Sequence, residues 1–295
     1  DARQVGALRE RLAATGLYGT RVEVFTGDPA GFLFPPYLAG LIVSEQPASL
    51  KPEAHAAGLF RALRPYGGVA CLALAGRQQD ALGAAVRAAD LPNARLERAG
   101  SWALLRREGA LPGSASWTHE SADAARSYFS KDERVKAPLG ILWYGDGEGY
   151  GFFKSKDYGT GVKAQVVGGR LFALQLHTNE LHAVDAYTGR LLWKRKVEHF
   201  TRYASLEDGV YVAEADRCHV LDPGTGEPKQ TFTYRLAGER KPFVADIRVG
   251  ESVIVIAVAF QKSRAIEKGL YDSSLLVALD RKSGEQLWTR EAKER

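Results

Sequence analysis

The carboxylate best placed to contact a ligand is Asp28, in the sequence Thr26-Gly27-Asp28 after a predicted strand at 22–25. A carboxylate just beyond the carboxyl end of a strand lies where open α/β sheets bind ligands. Its oxygens can accept a hydrogen bond from the amino group of a nucleobase. Gly-Asp-Pro is also a common turn sequence, so Asp28 could equally be a solvated turn residue. The residues alone leave both interpretations open.

A second set of aspartates recurs with constant spacing in the later part of the chain. Each copy holds an aspartate, a glycine four residues later and, in two copies, a tryptophan eight residues later. The repeated residues are Asp185, Gly189, Trp193, Asp222, Gly226, Asp280, Gly284 and Trp288, and Gln230 takes the tryptophan position in the middle copy. Aspartate can accept hydrogen bonds within a tight turn, glycine permits positive φ, and tryptophan buries a large apolar surface. We therefore interpret these residues as structural rather than catalytic.

The segments around these aspartates predict β-strands. In the first copy, residues 170–176 alternate in polarity, and further strands are predicted at 181–185 and 191–197, with polar turns between them. The aspartates are 37 and then 58 residues apart, and the excess predicts a protruding loop around 261–274. Repeated all-β units of this length indicate a quasi-repetitive β architecture.

The repeated pattern of aspartate, glycine and tryptophan resembles the blade repeat of β-propellers of the pyrroloquinoline quinone (PQQ) type. The stretch from Ser116 to Trp143 resembles the lead-in segment of such a propeller, and the alternative is a linker with aromatic anchors. The resemblance implies a connector and lead-in over 110–160 and an incomplete propeller of about three repeats over 161–295.

Members of that family that hold the quinone use acidic and amide groups on a calcium ion, a catalytic aspartate and often a vicinal cysteine pair. Here the two cysteines, Cys71 and Cys218, are far apart, and no such acidic and amide set stands out. We therefore expect a binding or scaffold module that contacts another protein through its loops, without PQQ. A PQQ-dependent quinoprotein dehydrogenase is the alternative.

Residues 1–109 have a different pattern of predicted secondary structure, in which strands and helices alternate. Helices are predicted at 2–15, 53–63 and 77–89, strands at 22–25, 38–43 and 69–74, and a closing hairpin at 95–99 and 102–106. This alternation predicts an open, mostly parallel α/β sheet.

The Thr26-Gly27-Asp28 turn and the Leu63-Arg-Pro-Tyr-Gly-Gly68 turn together resemble the later half of a class I S-adenosylmethionine-dependent methyltransferase. The resemblance implies a Rossmann-like domain over 1–109, with Asp28 binding the adenine of S-adenosylmethionine and 63–68 shaping the turn into the fifth strand. The glycine-rich cofactor loop of that family is missing, so we expect an interior fragment of a longer fused protein. Its catalytic residues are unknown, and we expect the fragment to be inactive by itself.

The composition excludes some classes of partner. The chain has 295 residues and a formal net charge of +5, spread without a basic cluster, so nucleic acid is not an expected partner. No apolar stretch reaches the length of a membrane span. Cys218 and His219 are adjacent on a predicted strand, where neighbouring side chains point to opposite faces, so no metal site is expected. The propeller family favours the bacterial cell envelope or periplasm, whereas the methyltransferase-like part favours the cytoplasm.

Overall fold

The computed structural model describes residues 2–27, 34–45, 51–143, 163–175, 178–199, 201–236, 243–259 and 275–291. The chain divides into two compact units, Asp1–Glu108 and Gly109–Arg295. The candidate cofactor residue Asp28 and the predicted loop at 261–274 lie outside the described residues. Within the described ranges, no helix is both long enough and apolar enough to span a bilayer.

The first unit contains three helices and a four-stranded sheet. Its elements are α1 (Ala2–Ala14), β1 (Leu41–Ser44), α2 (Pro52–Ala62), β2 (Gly68–Leu72), α3 (Arg77–Ala88), β3 (Ala94–Ala99) and β4 (Trp102–Arg107). The strand order is β1-β2-β4-β3. The core lies between the sheet and the helices α2 and α3, and it includes the buried side chains of Phe60, Leu72, Leu82 and Leu105.

The sheet is mixed, which corrects the expectation of a mostly parallel sheet. β1 and β2 pair in parallel, but β4 pairs antiparallel with both β2 and β3. The physical reason is the short connection between β3 and β4, in which Gly100 has a φ of 60°. Two strands joined by so tight a hairpin can only pair antiparallel, and β4, which lies between β2 and β3, adds a second antiparallel pairing with β2.

The strand predicted at 22–25 does not form, so that prediction is wrong. Val22 makes only an isolated bridge with Tyr18, and Phe25 is 61% exposed. A strand needs a partner for its backbone groups, and within the described residues none pairs with 23–26. The apolar alternation of this segment was therefore not sufficient to make it part of the sheet.

The 63–68 turn has a stereochemical reason for its two glycines. Gly67 has a φ of 105°, which disfavours any residue with a Cβ atom. A Cβ atom on Gly68 would lie 2.5 Å from the Arg64 carbonyl oxygen, so the backbone itself fills that space. The chain passes directly from this turn into β2. Gly67 and Gly68 therefore have a structural role, because they set the backbone path of this turn.

The second unit contains three antiparallel sheets of four strands each, which we call blades 1, 2 and 3. Blade 1 is β5 (Gln165–Val167), β6 (Arg170–Gln175), β7 (Glu180–Asp185) and β8 (Leu191–Lys196). Blade 2 is β9 (Arg202–Ser205), β10 (Val210–Ala213), β11 (Arg217–Leu221) and β12 (Pro228–Thr233). Blade 3 is β13 (Phe243–Val249), β14 (Val253–Ala259), β15 (Leu275–Asp280) and β16 (Gln286–Glu291).

The blades form a partial β-propeller, as the repeat predicted. The first strand of each blade contacts the first strand of the next, β5 with β9 and β9 with β13, so these strands lie innermost. One apolar cluster joins blades 1 and 2 around Phe172, Val212 and Leu221. A second joins blades 2 and 3 around Cys218 and Ile256. No helix occurs within the described residues of blades 1 to 3.

Candidate functional site

Each repeated aspartate closes the turn between the third and fourth strands of its blade. The Asp222 carboxylate accepts hydrogen bonds from the backbone N–H groups of Gly224 at 2.8 Å and Thr225 at 2.9 Å. The Gly226 N–H then donates to the Asp222 carbonyl oxygen at 2.8 Å, and Gly226 has a φ of 74°. Asp185 and Asp280 make the same pattern of bonds in blades 1 and 3. These hydrogen bonds hold the pKa of Asp222 below its usual value, against the opposing effect of burial.

An aromatic ring from the preceding segment covers the glycine of each turn. A Cβ atom on Gly189 would lie 2.3 Å from the Trp143 ring, and one on Gly226 would lie 2.6 Å from the Trp193 ring. Trp193 is 9% exposed, and its Nε1 donates to the Pro223 carbonyl oxygen at 3.0 Å. The Trp193 ring therefore packs blade 1 against the turn of blade 2, and the Trp143 ring packs the segment before the blades against the turn of blade 1.

In the third turn the ring belongs to Phe232, which the sequence reasoning missed. A Cβ atom on Gly284 would lie 2.0 Å from the Phe232 ring. Gln230 pairs in the same register as Trp193 in blade 1, but it is exposed. Phe232 is two residues further along β12 and so lies on the same side of the strand. Because side chains in a strand alternate between its two faces, the position two residues after Gln230 could have been predicted as the site of the packing ring.

Trp288 occupies the equivalent position on β16 and is 45% exposed. Within the described residues no turn lies beyond β16 against which it could pack. Its environment therefore differs from that of Trp193, although the two residues hold the same place in the repeat.

The first part of the lead-in segment, residues 116–122, contacts the inner strands of all three blades. Trp117 exchanges backbone hydrogen bonds with Val166 of β5, at 2.7 and 2.8 Å. The Thr118 carbonyl oxygen accepts a hydrogen bond from the Ser205 N–H of β9 at 2.8 Å. The segment is thus paired with the inner edge of the propeller, and it is more than a linker with aromatic anchors.

His119 completes this set by binding the third blade. Its Nε2 accepts a hydrogen bond from the Val249 N–H of β13 at 3.0 Å, and its Nδ1 lies 2.8 Å from Thr118 Oγ1. Burial lowers the pKa of His119, and the nearby carboxylates of Asp246 and Asp123 oppose this effect. The neutral imidazole is therefore favoured, which is the form that can accept the Val249 N–H.

An ion pair also joins blades 2 and 3. Both oxygens of the Asp208 carboxylate lie 2.7 Å from Arg281 Nη2, and Arg281 Nε donates to the Tyr211 hydroxyl at 2.9 Å. Arg281 Nη1 donates to the Gly250 carbonyl oxygen at 2.8 Å. The guanidinium thereby holds the β9–β10 and β13–β14 connections together.

A polar cleft opens between blades 1 and 2, and we call it the Glu214 cleft. Its volume is about 270 Å³, and its lining residues are Arg195, Lys196, Val197, Glu198, Val212, Glu214, His219 and Leu221. The buried side chains of Val212 and Leu221 belong to the apolar cluster between the blades. Glu214 is 8% exposed, and its carboxylate accepts a hydrogen bond from the Glu198 N–H at 3.1 Å and lies 3.2 Å from His219 Nε2.

The described residues contain no group of three or more His, Cys, Asp or Glu side chains that could hold a metal ion. Cys218 is buried, which raises the pKa of its thiol to about 12.

The three blades, the aspartate–glycine turns and the aromatic rings that cover them define a PQQ-like propeller-repeat protein. Residues 112–295 match the model of the family described as outer membrane protein assembly factor BamB. This match spans more than half of the sequence, and the chain belongs to that family. No curated protein is similar enough to the chain to count as a match.

Parts of several solved structures are similar to part of this chain. Quinohemoprotein alcohol dehydrogenase ADHIIG from Pseudomonas putida shares 20% identity, with a TM-score of 0.42 over 62% of this chain and 27% of that one. The corresponding enzyme from Comamonas testosteroni shares 16% identity, with a TM-score of 0.41 over 60% and 27%. BamB from Moraxella catarrhalis shares 20% identity, with a TM-score of 0.28 over 43% and 35%. The chain thus spans about a third or less of these structures, and scores of this size do not establish a shared site or activity.

Proposed function

We propose that the propeller unit is a binding and scaffold module for another protein. This proposal rests on the structural role of the repeated residues. Each repeated aspartate closes its own turn, and two of the repeat glycines, Gly189 and Gly226, lie under a tryptophan. These hydrogen bonds and ring contacts make the blades a rigid framework. Loops and clefts on a rigid framework are where binding residues are commonly placed.

The family description supports the same proposal. An assembly factor acts by contacting other proteins, and the matched residues 112–295 include all three blades. The family name also supports a location in the bacterial cell envelope. The alternative is a PQQ-dependent quinoprotein dehydrogenase.

For the first unit we propose a methyltransferase-like domain that binds S-adenosylmethionine in the complete protein. The parallel pairing of β1 with β2, joined through α2, agrees with the resemblance, as does the Gly67-Gly68 turn that leads into β2. The methyl acceptor and the catalytic residues are not assigned.

The complete protein should be tested for both roles in parallel. Affinity capture from an envelope extract measures binding of a partner, and a methyl-transfer assay with labelled S-adenosylmethionine measures the enzymatic role. The absorption spectrum of the purified protein tests for a bound quinone. A reproducible partner without a quinone band is the result expected from the scaffold proposal. A quinone band with alcohol oxidation would replace it by the dehydrogenase alternative.

A further inference from the structure

The Glu214 carboxylate is buried, and the Arg217 guanidinium interacts with it through charge without a direct contact. Its described contacts are the Glu198 N–H at 3.1 Å and His219 Nε2 at 3.2 Å. No Lys or Arg nitrogen of the described residues lies within 4 Å of it. Burying a carboxylate is costly unless its charge is paired, so this group is prepared for a positive partner.

His219 can satisfy its hydrogen bonds without carrying a charge. Its Nδ1 lies 2.8 Å from Thr231 Oγ1, and its Nε2 lies 3.2 Å from the Glu214 carboxylate. With the Thr231 hydroxyl donating to Nδ1 and Nε2–H donating to Glu214, one neutral tautomer serves both contacts. The network therefore positions the carboxylate and needs no positive charge of its own.

The basic residues that line the cleft are bonded elsewhere. Lys196 Nζ donates to the Thr178 carbonyl oxygen at 3.0 Å and lies 3.4 Å from the Glu180 carboxylate. Arg195 Nη1 donates to the Gly226 carbonyl oxygen at 3.4 Å. Neither of these two basic side chains therefore has a described contact with the Glu214 carboxylate.

We propose that the Glu214 cleft receives a single basic side chain, arginine or lysine, from a segment of a partner protein, an inference that rests on the scaffold role proposed above. A volume of about 270 Å³ is below the range of roughly 300–1,000 Å³ that holds drug-sized ligands. The cleft therefore has room for one side chain. The half-buried Val197 can contact the aliphatic part of that side chain, and the carboxylate binds its charged end.

A peptide titration tests the site directly. The complete, ¹⁵N-labelled protein is titrated with blocked pentapeptides that carry arginine, lysine or citrulline between glycines, and the resonances of Glu214 and His219 are followed. We expect the arginine and lysine peptides to shift these resonances. Citrulline has nearly the shape of arginine without its charge, so we expect its binding to be roughly tenfold weaker. Equal binding of citrulline and arginine would overturn the proposal.

A matched pair of variants separates charge from shape. Glu214→Gln keeps an oxygen that can accept the Glu198 N–H but removes the charge, and we expect a loss of roughly tenfold in peptide affinity. Glu227→Gln makes the same change at an exposed position of the same blade, and we expect no loss. If Glu214→Gln melts below wild type by more than a few degrees, Glu198→Gln provides the second test, with a smaller loss expected. Unchanged affinity in both cleft variants would overturn the proposal.

Affinity capture with the same variants distinguishes this inference from the scaffold role. A partner retained by wild type and by Glu227→Gln but lost by Glu214→Gln supports both proposals. A partner retained equally by all three leaves the scaffold role standing and overturns the assignment of the cleft. If wild type retains no partner, the scaffold role fails, and the peptide titration alone decides whether the cleft binds a basic side chain.

Discussion

The indole ring of Trp193 lies over Gly226 of the next blade, where a Cβ atom would come within 2.6 Å of the ring. The same indole donates from Nε1 to the Pro223 carbonyl oxygen at 3.0 Å. The ring therefore binds the turn through packing and through a directed hydrogen bond. The missing side chain at Gly226 is what allows the ring to approach so closely.

We expect Trp193→Ala to lower the free energy of unfolding of the propeller unit by about 3–5 kcal/mol, the usual cost of emptying a large aromatic site. Trp288→Ala is the matched control, because Trp288 holds the same repeat position and is 45% exposed. For this variant we expect about 1 kcal/mol or less. Denaturant unfolding of the three proteins measures the difference. Equal losses in the two variants would show that blade docking does not distinguish these residues.

We expect Phe232→Ala to destabilise blades 2 and 3 by about 3–5 kcal/mol, because the buried Phe232 ring fills the space above Gly284. Gln230→Ala changes the residue in the tryptophan position of the repeat, which is exposed in blade 2, and should cost about 0.5 kcal/mol or less. Hydrogen exchange of the β12 and β15 amides localises the effect. A larger loss in Gln230→Ala would restore Gln230 as the docking residue.

The repeat turns could be predicted from sequence because their contacts are local. Asp222 bonds to residues two and three positions later, and the glycine that follows supplies the required φ. The bond from Val249 to His119 joins residues 130 positions apart, and no local pattern encodes it. The same reason explains why the inner strand β9 was not predicted, since short strands of this kind are specified by their neighbours in space.

The predicted cofactor contact of Asp28 remains to be tested in the complete protein. We expect Asp28→Ala to weaken S-adenosylmethionine binding by about 1.5–3 kcal/mol, the typical cost of losing a hydrogen bond to a charged group, with little change in thermal stability. Titration calorimetry on the complete protein and its variant gives the two affinities. If they are equal, Asp28 is a turn residue.

We expect the propeller unit to lose stability as the pH falls, in part through His119. Burial lowers the pKa of His119 in the folded state, so the unfolded chain binds a proton first. The stabilising contribution is complete above the unfolded pKa of about 6.5 and is lost as the pH falls through the lower folded pKa. Protonation of Nε2 also removes the acceptor for the Val249 N–H, which separates the lead-in segment from β13.

The comparison of wild type with His119→Gln isolates this effect, since glutamine keeps an acceptor but does not titrate. Burial also lowers the pKa of His182, but that residue is present in both proteins, so its contribution cancels in the difference. We expect the difference in unfolding free energy to be largest near pH 8 and to shrink steadily below about pH 6.5. A wild-type advantage over His119→Gln that stays constant from pH 8 to pH 5 would show that His119 does not couple protonation to the attachment of the lead-in segment.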